Sequence, residues 1–124
     1  MARLSEEAKK IINEVHPAHV ATASKQGKPN VSSKGSFRVL DDEHVGFADI
    51  NSPRTVANLR ENPQVSVIIY DPATRKSCRI WGKAQIIESG ELFDTFSAQF
   101  EPRKIKVNNV VKITVDEEAI LSIG

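Results

Sequence analysis

The stretch from Val45 to Tyr70, VGFADINSPRTVANLRENPQVSVIIY, constrains this chain more than any other. It reads as a strand, a polar turn, one short helix and a second strand. Ser52 is expected to be the N-cap, its hydroxyl accepting from a free amide of the first helical turn. Pro53 then falls at the first helical position, where its missing N–H costs nothing and its fixed φ suits the helix. Arg54 and Thr55 follow, so unpaired backbone N–H groups, a guanidinium and two hydroxyls converge on one spot. Such a junction suits an anion, and a phosphate best of all.

The segments on either side read as short strands and turns with two further helices. Ser5 to Val15 is expected to be helical. Ser5 can cap it, Glu6 and Glu7 suit its positive end, and Leu4, Ala8, Ile11, Ile12 and Val15 form an apolar stripe. His16-Pro17 ends it. Ala18–Ala23 is strand-like and Ser24 to Pro29 is a turn by composition. From Asn30 to Leu40 the alternation predicts one strand. Its inward face is expected to carry Val31, Ser33, Gly35, Phe37 and Val39, and its other face Asn30, Ser32, Lys34, Ser36 and Arg38. Asp41 to Glu43 is a second hairpin turn.

Beyond the central helix, Val65 to Tyr70 is expected to be buried on both faces, and Asp71 to Lys76 to turn. In Ser77 to Ile87 the even positions Cys78, Ile80, Gly82, Ala84 and Ile86 are small or apolar, as the inside of a tightly curved barrel demands. Trp81, on the opposite face, is expected to cover a ligand or a subunit interface. Glu91 to Gln99 is expected to form a helix with Leu92, Phe93, Phe96 and Phe100 at core-type spacing. Arg103 to Lys106 is a basic link, and Asn109 to Asp116 and Ala119 to Ile123 are two closing strands. The fold expected is mainly β with short helices, a small antiparallel barrel forming one domain over residues 1–124.

Charge and cysteine content narrow the function. A formal net charge of +1 on 124 residues disfavours a nucleic-acid-coating protein, and the core-type spacing of the phenylalanines leaves no aromatic platform for bases. No apolar run could span a bilayer and the start carries no apolar leader, so a soluble cytoplasmic protein is expected. Cys78 is the only cysteine, expected to be a buried inert thiol, and His16, His19 and His44 have no metal-site spacing.

Three segments in order, VATASKQGKPNVSSKG, VGFADINSPRTVANLRENPQVSV and CRIWGKAQII, resemble the pyridoxamine 5′-phosphate oxidase-like family, whose fold is the FMN-binding split β-barrel. The resemblance covers Ala18 to Ile87, and its most recognisable piece runs from Asn58 to Val65, N-L-x-x-N-P-x-V. It implies FMN bound at the interface of a homodimer, with Ser52, Arg54 and Thr55 at the phosphate. Ser32, Ser33 and Lys34 would lie along the flavin ring, and Ala48, Asp49 and Ile50 would meet the ribityl chain and ring. Ser77 would stand near the flavin, often supplied by the second subunit, with Trp81 at the interface. Lys34 could place a positive charge near N1–C2=O, where it stabilises the reduced flavin. The chain has Thr55 where many members have lysine. It also lacks, up to Ile123-Gly124, the arginine/histidine pair that grips substrate in pyridoxamine phosphate oxidases, so that particular oxidation is not expected. The expected activity is electron transfer between FMN and a small substrate, a nicotinamide nucleotide or oxygen. A flavin-holding electron carrier is the alternative, and a deazaflavin or haem an alternative occupant.

Overall fold

The computed structural model describes residues 2–123. The chain runs α1 (Glu6–Glu14), β1 (Ala18–Ala23), β2 (Pro29–Lys34), β3 (Arg38–Asp41), β4 (His44–Asp49), α2 (Pro53–Glu61), β5 (Gln64–Asp71), β6 (Lys76–Ile87), α3 (Glu91–Phe100), a 3-10 turn (Glu101–Arg103) and β7 (Asn109–Ser122). All strand pairs are antiparallel, in the order β2-β1-β5-β6-β7-β4-β3.

That order forces curvature. The two edges, β2 and β3, are consecutive in the chain and joined by Gly35, Ser36 and Phe37 alone. Laid flat, seven strands would put these edges about 29 Å apart, at about 4.8 Å per strand. The link from Lys34 to Arg38 spans at most about 14 Å. The sheet therefore rolls into a barrel whose seam lies at this link.

Two apolar clusters fill and flank it. The larger one packs Leu4, Ala8, Ile11 and Ile12 at α1 against Val20, Phe37, Phe47, Val67, Ile69, Cys78, Ile80 and Ile113 of the barrel. Ser5 caps α1 as the sequence predicts, its Oγ accepting from the Ala8 amide at 3.0 Å. Cys78 is fully buried and its thiol is pushed up to about 12, chiefly by burial, so it is inert. The smaller cluster joins Ala48, Phe96, Val107 and Val110 and seats α3 on the outside of β4 and β7.

The curvature concentrates at Gly82. A Cβ there would stand 2.3 Å from the Thr114 carbonyl oxygen and 2.8 Å from Ile113 Cγ2. At the same point the β6–β7 register slips: Trp81 faces Glu117 but Gly82 faces Val115, leaving Asp116 as the extra residue of a bulge.

Three sequence expectations are corrected. Asn30 to Leu40 is not one strand but two, broken by a turn at Gly35-Ser36, and the facing of its first half is reversed. Val31 is 66% exposed, whereas Lys34 is buried and Asn30 and Ser32 face α2. Alternation could not carry parity through the break, so Phe37, which is buried, says nothing about Val31. Val65 to Tyr70 is buried on one face only, because nothing among the described residues covers Ile68 and Tyr70 on the other. The two closing strands are one: Glu117 and Glu118 stay paired with Trp81 and Ile80, so the chain bends at the bulge without breaking.

Replacing Gly82 with Ala should cost about 3 kcal/mol, because backbone rather than a flexible side chain meets the new methyl. Gly35→Ala, with nothing within 4 Å of the added atom, should stay within about 0.5 kcal/mol of the parent. Urea unfolding of both variants measures the contrast.

Candidate functional site

The seam and the start of α2 lie side by side, and β2 joins them. Its residues Asn30 and Ser32 point toward α2. Thr55, almost fully buried, accepts from Asn30 Nδ2 at 3.3 Å and shares a hydrogen bond with Ser32 Oγ at 3.0 Å. Thr55 is thus a packing and hydrogen-bonding residue that locks β2 to the helix.

Pro53 opens α2 as expected, but Ser52 does not cap it. No side chain caps this helix. The Ser52 hydroxyl instead donates to Asp49 Oδ1 at 2.6 Å, and the Ser52 amide donates to the same oxygen at 3.1 Å. With its hydroxyl aimed at the Asp49 carboxylate in a charge-assisted bond, the Ser52 oxygen accepts from no amide of the first helical turn. Asn109 Nδ2 donates to the other carboxylate oxygen at 2.8 Å, completing the partners of this buried acid. The first turn of α2 is left open beside a groove of about 250 Å³ lined by Lys28, Asn30, Arg54 and Asn58. Arg54 is exposed there.

A separate depression, at the seam, is a cleft of about 580 Å³. One wall is the seam and the end of β4: Ser33, Lys34, Gly35, Ser36, Ala48 and Ile50. Ser36 Oγ accepts from the Ala48 amide at 2.9 Å and ties the seam to β4. The other wall comes from α3 and the turn after it, with Gln99, Phe100, Arg103 and Ile105. Arg38 holds that wall in place, its guanidinium carbon 4.0 Å from the Phe96 ring centroid, and burial lowers its pKa.

Lys34 is the unusual group of this cleft. It is only 8% exposed, and its Nζ lies 5.4 Å from the Phe47 ring centroid. Among the described residues its ammonium has no hydrogen bond and no ion pair. Burial lowers its pKa below the usual lysine value, and the charge of Asp49 opposes that only in part.

The residues singled out from the sequence thus fall into groups. Ser33, Lys34, Ala48 and Ile50 line one cleft, Ser32 and Thr55 bond to each other behind it, and Asp49 and Ser52 form a buried pair. Arg54 borders the smaller groove. Ser77 and Trp81 border neither depression within the single chain. Ser77 is buried, its Oγ donating to the Leu121 carbonyl at 3.4 Å, and Trp81 lies on the outer sheet face with the Arg79 guanidinium carbon 5.1 Å from its ring centroid. Sequence reasoning did not assign Lys28, Ser36, Gln99, Phe100, Arg103 or Asn109. The basic Arg103–Lys106 run was the one available signal for Arg103.

A barrel of this order with a cleft at its seam defines a class, and the family follows. The family model described as pyridoxamine 5′-phosphate oxidase matches residues 4–121, and the chain belongs to this family. Its fold is the split β-barrel. The Group A Streptococcus protein HupZ superposes with a TM-score of 0.87 at 26% identity, over 98% of this chain and 96% of that one. An FMN-binding protein of Syntrophomonas wolfei has a TM-score of 0.85 at 16% identity, over 96% and 86%. An F420 reductase has a TM-score of 0.71 at 18% identity, over 94% and 98%. An uncharacterized protein of Methanocaldococcus jannaschii is 40% identical over 70 residues, 54% of this chain and 46% of that protein. The chain thus spans about half the length of that curated relative. No helix among the described residues is long and apolar enough to cross a membrane.

Lys34→Met should raise the urea midpoint at neutral pH, since it removes a charge held in poorly solvated surroundings. The folded-state pKa of Lys34 lies below its unfolded value, so the unfolded chain binds more protons in the window between them. Parent stability should therefore rise with pH across that window, toward 10.5. Unfolding of the variant should lack this contribution, which a pH series of urea melts reads directly.

Proposed function

We propose that this chain binds FMN and works as a flavin-dependent oxidoreductase. Flavin supplies two-electron chemistry, and the protein supplies position and electrostatics. The observation that carries the reading is Lys34, a largely buried side chain whose ammonium has no protein partner among the described residues and lines a cleft at one end of β2, while a separate groove at the other end of β2 borders Arg54 of the uncapped helix α2. An anionic, planar, hydrogen-bonding cofactor answers each of these features. Its phosphate would sit at the first turn of α2 with Arg54 and Lys28, while Thr55 and Ser32 fix the strand beside it. Its ring would lie against Ser33, Lys34, Ala48 and Ile50, with Lys34 offsetting negative charge on the pyrimidine edge. Asn30 and Lys34 are about 13 Å apart along the strand, a span suited to a phosphate-terminated tail and its ring.

A homodimer belongs to the same proposal. Val31 on β2, Ile68 and Tyr70 on β5 and Leu121 on β7 are exposed apolar residues of one outer sheet face, the face that also carries Trp81. A second copy of the chain seated there would cover them, and would bring the Ser77 and Trp81 region of one protomer toward the other. A deazaflavin is the second occupant considered, favoured by the fold shared with an F420 reductase.

Purified protein mixed with FMN and freed of excess should retain a perturbed flavin absorption band. Arg54→Ala should weaken FMN binding about ten-fold or more, the usual worth of a charge-assisted contact to phosphate. A colourless protein, or unchanged affinity in the variant, removes the phosphate assignment. Leu121→Glu should shift the sedimentation coefficient from dimer to monomer; a parent protein that already sediments as a monomer sinks the dimer.

A further inference from the structure

The outer sheet face carries a charge pattern that neither the cleft nor the groove beside α2 uses. Strand pairing sets its residues in rows across β2, β1, β5, β6 and β7. One row runs Ser33, His19, Ile68, Arg79 and Ala119, and the next runs Val31, Ala21, Ser66, Trp81 and Glu117. His19 is exposed, with its Nδ1 bonded to Ser33 Oγ at 3.0 Å. Its Nε2 has no hydrogen bond among the described residues. Arg79 lies against the Trp81 ring and has no ion pair among the described residues. A histidine and a cation thus share one row, about 10 Å apart at two strand spacings. The carboxylate of these two rows, Glu117, stands one strand beyond Arg79 and in the other row. A depression of about 270 Å³ opens beside Trp81, where Ala21, Ala23 and Ser66 are small.

A two-fold axis between two copies, parallel to β5, keeps each row in step and lays β1 of one copy over β6 of the other. Trp81, the largest side chain of the face, then stands over Ala21 of the other copy, and Ile68 meets Ile68 at the axis. Large over small is what two packed sheets need to interdigitate. The same operation sets His19 opposite Arg79 of the other copy, twice per dimer, while Glu117 falls at the rim over Val31. We propose that two copies of the chain meet in this register and that His19 makes their contact sensitive to pH, weakening it on acidification. This rests on the dimer reading of the face. A neutral imidazole lies over a guanidinium without repulsion. An imidazolium sets like charges together in a gap of about 10 Å between the sheets, from which screening water is displaced. Histidine changes charge between about pH 5 and 8. The separated copies bind that proton more readily than the dimer does, so association strengthens as pH rises and fades as it falls.

Sedimentation velocity on a dilution series, at about pH 8 and about pH 5.5, gives the dimer Kd on both sides of the histidine range. The parent Kd should rise about ten-fold or more on acidification, since two His19–Arg79 contacts are lost together. His19→Gln, an exposed substitution that keeps a donor for Ser33, should hold its Kd within about two-fold across the same pH change. Arg79→Gln should lose most of the pH dependence as well. Ala21→Leu should weaken the dimer at both pH values, because it fills the space that Trp81 takes. His16 and His44, bonded to the Asn13 carbonyl and to Asp41, remain in every variant. A parent Kd that does not change with pH, or a pH dependence that survives in His19→Gln, overturns the inference and leaves the dimer standing. A dimer indifferent to Ala21→Leu overturns the register. A parent that sediments as a monomer at every concentration and at both pH values sinks the dimer reading itself, and the inference with it.

Discussion

The three residues Gly35, Ser36 and Phe37 join strands at opposite edges of a seven-stranded sheet, and the rest of the structure answers to that constraint. A link so short cannot reach across a flat sheet, so the strands must curl until their edges meet. Curling needs a place where backbones approach more closely than a side chain permits, and Gly82 against Thr114 provides it, beside the bulge at Asp116. It also needs an interior small enough to fill. Phe37 and Phe47, stacked with centroids 6.3 Å apart, fill it at the seam, and α1 covers it with Ile11 and Ile12.

The seam is also where the barrel is chemically exposed. Edge strands that approach without hydrogen-bonding each other leave a cleft, and the residues lining it are those nearest the closing link. Lys34 is buried there because closure places it beside Phe47, at the end of β2, with no acid within ion-pair reach. This is an arrangement that stability alone would not favour. Asp49, at the end of β4, has a related effect. Its carboxylate takes Ser52 and Asn109 as partners, which satisfies a buried acid and leaves the first turn of α2 without a side-chain cap. Two local departures from best packing, an unpaired cation and an uncapped helix, thus stand along the same strand. Such departures are where an otherwise self-consistent fold keeps its capacity to bind.

Much of this was legible in the chain. The helix beginning at Pro53, the Ser5 cap, the β1 boundaries, the inward small residues of β6 and the inert Cys78 follow from local rules: capping geometry, alternation, and the fixed φ of proline. The resemblance to the pyridoxamine 5′-phosphate oxidase family, carried by three segments in order, is borne out by a match over residues 4–121. The failures share one cause. Val31 was expected inside because Phe37 and Val39 are apolar at the same parity, yet the turn at Gly35-Ser36 resets that parity. Ser52 was expected to cap its helix because serine at that position does so locally, yet a buried carboxylate three residues earlier competes for its hydroxyl.

The sequence by itself therefore determined the three helices, the strands β1, β4, β5 and β6, and Lys34 and Arg54 as charges available to a ligand, because helices, strands and turns depend on neighbours within a few positions. Tertiary structure alone decided which face of β2 looks inward, that Lys34 has no partner, that Asp49 claims Ser52, and that Arg103 from the far side of the chain shares a cleft with Lys34. Each depends on the environment created where the barrel closes, and no local pattern encodes where a sheet of seven strands brings its two edges together.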